Sequence, residues 1–240
     1  MSSIQDLKRR LRSISNTRKV TRAMELVASA RLRRAQQRIE ALRPYADRMQ
    51  ELMAGTARAA GAVRLPLLQR RENVKTVAIV PITADRGLAG GFNAQVLRRA
   101  LAEAYVNEEV DRVLIVYNAF VSPLVQRVTV TEVLPIPEHV LETSDEETTE
   151  TRLVGDFIYE PEPEEILARL LPVYVETELY RALLESAASE QGARMTAMRN
   201  ASKAAGELID SLTLAMNRAR QAEITQEILE VVAGADALTG

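Results

Sequence analysis

Apolar and small residues recur at alternating four- and three-residue steps near both ends of this chain, and that rhythm limits the possible folds more than any other feature. From Ala28 the positions are Ala28, Leu32, Ala35, Ile39, Leu42, Ala46, Met49 and Met53; an earlier run, Ile4, Leu7, Leu11 and Ile14, keeps the same spacing. Such a stripe is the heptad seam of a helix that lies along another helix. Arg18 and Thr21 interrupt it between the two runs. Pro44 falls inside the pattern and should kink the helix without ending it, because the seam resumes beyond it. Some 53 residues of helix would reach roughly 80 Å, far more than a compact domain of this size needs.

The C-terminal part mirrors the first. Glu160-Pro161-Glu162-Pro163-Glu164-Glu165 places proline and acids where a helix begins, which suits the positive end of its dipole. Ile166, Leu170 and Val173 then open a seam, with Pro172 early enough to be tolerated. Met198, Ser202, Ala205, Ile209, Leu212, Met216 and Ala219 continue it, and frequent alanines (Ala187, Ala188, Ala193, Ala197, Ala201, Ala204) allow a partner helix to come close. Gly192 and Gly206 each cost about 1 kcal/mol against alanine without stopping so long a helix. Two such segments could fold back on themselves as a bundle. The absence of turn chemistry within residues 2–53 favours one antiparallel pair built from the two ends of the chain.

Between them the pattern changes. Val74–Ile82 reads as a strand, Thr83–Gly91 as a glycine-rich loop, and Asn93 as the cap of a helix through about Glu103. Val113–Tyr117 is a second strand, Thr129–Leu134 a third, and Leu153–Tyr159 a weak fourth. Strand, helix and strand in that order imply a right-handed parallel unit. The expected fold class is therefore α/β inserted into a long antiparallel two-helix coiled coil. Its parts are an N-terminal helix over 1–56, a Rossmann-like domain over 72–160, and a C-terminal helix over 164–238.

Composition narrows the chemistry. The chain has no cysteine and one histidine, His139, so thiolate metal sites and histidine-based acid–base catalysis are poor prospects. Gly87, Gly90 and Gly91 form G-x-x-G-G, neither a dinucleotide fingerprint nor a P-loop. Arg86 could draw a phosphate to the helix start, but a tight turn is the simpler reading. Glu142–Glu150 is strongly acidic, yet it lacks the spacing of a calcium loop and reads as a solvated loop. Net charge is −2, but residues 1–55 carry 13 Lys/Arg against 5 Asp/Glu, while residues 106–165 carry 3 against 15. Such segregation fits more than one electrostatic partner. No apolar run is long enough to cross a bilayer, and the start lacks a signal-peptide pattern.

The segments Ser13–Ala28 and Arg43-Pro44-Tyr45-Ala46 resemble the N-terminal helix of the gamma subunit of F-type ATP synthases. Asp85-Arg86-Gly87-Leu88-Ala89-Gly90-Gly91-Phe92-Asn93 resembles that family's D-R-G-L-x-G-G-x-N loop. Ser189–Met198 and Asn217–Ile228 resemble its C-terminal helix. The resemblance implies a rotating central stalk that couples proton flow to ATP synthesis or hydrolysis at the beta subunits and contributes to regulating both. It implies no cofactor, no metal and no catalytic residue in the chain itself. The partners it implies are an alpha3beta3 hexamer, the epsilon subunit and the membrane-embedded c-subunit ring, at the cytoplasmic face of a bacterial plasma membrane. By motif position Met24 matches a residue facing the acidic lever of the beta subunit, and Arg220, Gln221 and Thr225 match residues that bond its catch loop. Ile224, Ile228, Val231, Val232 and Ala235 would line the shaft's tip. Family members carry a further strand-and-helix stretch where Ala102–Tyr105 here runs directly into Val106–Asp111. A basic coiled coil that binds nucleic acid, or a scaffold, is the alternative; its cations lack interleaved aromatics.

Overall fold

A computed structural model describes residues 4–61, 65, 67–70, 73–84, 87–89, 92, 111–137, 140 and 160–239, with side chains as far as Gly234. The order of elements is α1 (Ile4–Ala60), β1 (Val77–Pro81), β2 (Arg112–Phe120), β3 (Gln126–Leu134) and α2 (Pro163–Thr239). The helix expected from Asn93, the fourth strand at Leu153–Tyr159, His139, the acidic run 142–150 and the Ala102–Val106 junction lie outside the described residues. The chain divides into two compact units, Met1–Ala28 with Met195–Gly240, and Ser29–Arg194. Each helix contributes to both.

In the first unit the two helices run antiparallel. Arg199 on α2 donates to Glu25 on α1 at 3.0 Å. Seven residues earlier on α1, the Arg18 side chain lies over Gly206, seven residues later on α2. Leu7, Ala28, Met195, Met198 and Ala205 are buried, as the two seams require. Thr21, which interrupts the seam, is buried because its hydroxyl donates to the Arg18 carbonyl at 3.0 Å and leaves no open polar group.

In the second unit α1 ends at Gly61, whose φ of +69° and N–H bond to the Ala57 carbonyl make a glycine helix stop. Met49 and Met53 on α1 pack with Leu167 and Leu171 on α2 and with Ile136 and Val140 after β3. This corrects one detail of the seam: the fully buried positions near the start of α2 are Leu167 and Leu171, with Leu170 packed at their edge, and Val173 is exposed. The stripe is shifted one residue because this end of α2 must cover the segment after β3 as well as α1. Pro44 and Pro172 both lie within the helices, as expected.

The sheet has the order β1-β2-β3. β1 pairs parallel with β2, Val77 opposite Arg112, and β2 pairs antiparallel with β3, with a register shift between Val113 and Leu114. Asp111 caps the start of the parallel pair, its carboxylate accepting the N–H groups of Lys75 at 2.6 Å and Thr76 at 3.1 Å. One face of β2, through Ile115 and Tyr117, packs with Ala182 and Leu179 of α2. The other, through Val116, packs with Ile79, Val128 and Val130.

The two mid-helix glycines differ in purpose. A Cβ on Gly192 would stand 3.2 Å from the Pro123 carbonyl oxygen, so this glycine lets the β2–β3 turn approach α2. A Cβ on Gly206 would meet nothing closer than Arg18 Cζ at 3.6 Å. Replacing Gly206 with Ala should therefore stabilise the chain by about 1 kcal/mol, or roughly 2–4 °C in thermal midpoint, whereas Gly192→Ala should bring no such gain. Thermal unfolding followed by circular dichroism checks both.

Candidate subunit-contact site

The register of the first unit decides what the chain can present to a partner. Residue 25 faces 199 and residue 18 faces 206, one residue lost for each gained, so Ile4 falls opposite about Arg220. Beyond that point α2 has no companion among the described residues, and every position from Arg220 to Gly234 is exposed. The exposed set includes Ile224, Ile228, Leu229, Val231 and Val232, the last two at 72% and 51%. A helix with aliphatic residues open to solvent over four turns is a surface awaiting contact.

The four residues singled out from the sequence all lie in this unit but form two places. Arg220, Gln221 and Thr225 sit together at the start of the uncovered stretch. Gln221 and Thr225 are four apart on one helix face, and the Thr225 hydroxyl donates to the Gln221 carbonyl at 2.9 Å, which fixes its rotamer. Met24 is half-buried and sits about 20 residues of helix away, roughly 30 Å along the axis.

Beside Met24 lies a group that the periodicity conceals. Glu25 occupies a buried position, its side chain 8% exposed, and accepts from Arg22 on its own helix and Arg199 on the other, each at 3.0 Å. The Arg199 hydrogen bond first, then the charges of both guanidinium groups, outweigh the cost of burial and hold the Glu25 carboxyl below its ordinary value of 4.5. A seam read only for apolar residues passes over this carboxylate; the signal available was a glutamate flanked by arginines at helical spacing.

The second unit offers no reaction centre among its described residues. Its charged groups are structural. Arg181 pairs with Glu178 at 3.6 Å and Glu185 at 3.2 Å beside a groove of about 190 Å³ lined by Ile39, Leu42 and Leu184. Burial pushes the Glu178 carboxyl up against the opposing pull of Arg181, and raises the Tyr174 hydroxyl to about 12. Of the glycine-rich loop, Asp85, Arg86, Gly90 and Gly91 lie outside the described residues. Within the part that is described, the left-handed residue is Leu88, φ 65°, and not a glycine.

What fold and surface define is thus a contact protein: two antiparallel helices with one uncovered end, and a small α/β unit. A family model described as ATP synthase matches residues 3–104 and 99–238. The ATP synthase gamma chain of Desulforamulus reducens is 42% identical over 290 residues, covering 99% of this chain and 100% of that one. That of Rubrobacter xylanophilus is 42% identical over 291 residues, with 99% of each covered. Among solved structures, one chain of the Euglena gracilis mitochondrial ATP synthase (OSCP/F1/c-ring) aligns at TM-score 0.65 and 18% identity, over 98% of this chain and 94% of its own. A chain of the Tetrahymena thermophila mitochondrial central stalk and c-ring aligns at TM-score 0.52 and 23% identity, over 76% and 99%. The chain belongs to the ATP synthase gamma-chain family. Its 240 residues align over 290 positions with a relative, and the two family-model matches meet at 99–104, beside the junction where the sequence departs from its family. No described helix is long and apolar enough to cross a membrane.

Because the Glu25 carboxyl is held low, it stabilises the helix pair fully above about pH 4.5 and less as pH falls through its depressed value. Glu25→Gln should lower the thermal midpoint by roughly 2–4 °C at pH 7, about 1 kcal/mol for a charged hydrogen bond with a partly exposed partner. The gap to wild type should narrow as pH falls below about 4.5, as measured by circular dichroism melting.

Proposed function

We propose that this chain is the rotating central shaft of a proton-translocating ATP synthase, acting at the cytoplasmic face of a bacterial plasma membrane. In this reading α1 and α2 form an antiparallel coiled coil, and α2 continues alone as the tip within the bore of an alpha3beta3 hexamer. The observation that carries it is the uncovered end of α2, where aliphatic residues stand in solvent beyond Ile4, the first residue of α1. The aliphatic side chains of this stretch, which it shares with Glu223, Glu227 and Glu230, suit a bearing, since they make no directional bonds that would have to break at each step. The α/β unit is assigned to the c-subunit ring and the epsilon subunit.

Arg220, Gln221 and Thr225 are assigned to the catch loop of a beta subunit, and Met24 to its acidic lever. Their separation along the helices gives the shaft two contact heights. Torque then passes through positions that differ around the axis, so the three beta subunits meet different surfaces at any instant. The shaft supplies shape and charge, and bond chemistry stays with the beta subunits. The exposed cations of α1, among them Arg31, Arg33, Arg34 and Arg38, would steer it against acidic segments. That use accounts for the basic front of the chain without a nucleic acid.

The test is ATP-driven proton pumping in vesicles carrying the assembled complex. Met24→Lys adds a cation at the lever and should lower protons moved per ATP hydrolysed severalfold, with assembly intact. Alanine at Arg220, Gln221 and Thr225 together should slow hydrolysis and loosen the hexamer, roughly tenfold in either. Normal pumping and assembly in both variants would contradict the assignment.

A further inference from the structure

Resting on the shaft reading, a second feature of the α/β unit bears on coupling. The loop after β1 carries Leu88 at φ 65°, where a side chain with a Cβ meets steric resistance and glycine does not. The side chain is 62% exposed. Its neighbours do the opposite: Ala89 is 5% exposed and Phe92 4%, so the chain just beyond it is anchored inward. On the other side, Arg194 of α2 donates from Nη2 to the Gly87 carbonyl at 3.2 Å. The same guanidinium holds Glu190, one helical turn earlier, through Nη1 at 2.5 Å, and its side chain is only 11% exposed. A planar fork thus locks the loop to the helix, one prong on a carboxylate and one on a backbone oxygen. Glycines stand close by in the sequence at Gly87, Gly90 and Gly91, so a left-handed leucine is not forced by a shortage of glycine. An exposed leucine held at a strained backbone position points to a use on the surface.

We propose that Arg194 is a positioning residue for coupling: by tying Gly87 to α2 it keeps Leu88 in its left-handed conformation, with the leucine side chain fixed outward on the rotating unit. Without the tie the loop relaxes to a right-handed or extended conformation, and the leucine leaves its place while the fold persists. Lysine at 194 keeps the charge and most of the length but cannot hold two acceptors in one plane. Glycine at 88 keeps the backbone conformation and removes both the strain and the side chain.

The experiment measures protons pumped per ATP hydrolysed by the assembled complex in vesicles, with wild type, Arg194→Lys, Leu88→Gly and the double variant. Each single change should lower the ratio at least twofold, and the double should fall no further than Leu88→Gly alone, since both act through one side chain. The isolated Leu88→Gly chain should melt at a higher temperature than wild type, which separates lost coupling from lost folding. A normal ratio for Leu88→Gly, independent multiplication of the two losses, or an unchanged melting point would overturn the inference and leave the shaft reading intact. A wild-type chain that assembles into no pumping complex would remove both.

Discussion

The antiparallel pairing of α1 with α2, pinned by Glu25 between Arg22 and Arg199, is the interaction on which the other features depend. An apolar seam repeating every seven residues is nearly as well buried after a slip of seven. A carboxylate at one seam position removes that freedom, because any slip carries it away from Arg199 and leaves a charge against aliphatic side chains. Fixing the register also fixes the remainder. With 25 opposite 199, α1 runs out near Arg220, and the length of helix left uncovered follows. One ion pair therefore sets how far the tip extends and where Arg220, Gln221 and Thr225 stand.

The second unit solves a different problem, attaching a small sheet to the same two helices. α2 does most of this. Leu179 and Ala182 pack on one face of β2, Ser189 donates to the Asn118 carbonyl at 2.9 Å, Gly192 admits the β2–β3 turn, and Arg194 holds the loop after β1. These contacts fall along some four turns of one helix. A rotation of α2 would disturb all of them together.

Much of this was legible because it is periodic. The four-three seams marked the two long helices, and runs of β-branched residues located β1, β2 and β3. The assignment of Met24, Arg220, Gln221 and Thr225 to partner contacts came from resemblance alone, since periodicity cannot supply it. What stayed hidden were single contacts between distant segments. Glu25 falls on the seam rhythm between Thr21 and Ala28 as one more polar interruption, and the sequence does not show that Arg199 on the other helix lies against it. Gly192 looked like a propensity penalty until Pro123 was found against it. Ile166, Leu170 and Val173 gave an equally good stripe one residue out of phase, because a heptad rule assumes one partner and this end of α2 has two. Leu88 carries no signal at all, as nothing in a sequence marks a leucine that adopts a glycine's conformation.

The central claim is the register of the helix pair, and it is open to direct measurement because the chain has no cysteine of its own. Spin labels on introduced cysteines at the exposed positions Arg22 and Lys203 should report a short distance by pulsed dipolar spectroscopy. Moving the second label from 203 to the exposed position Asn217 should lengthen it to about 20 Å of axial separation, fourteen residues at helical rise. Equal distances for the two pairs, or a longer one for 22 with 203, would show that the helices are not paired in this register, and the account would fall with it.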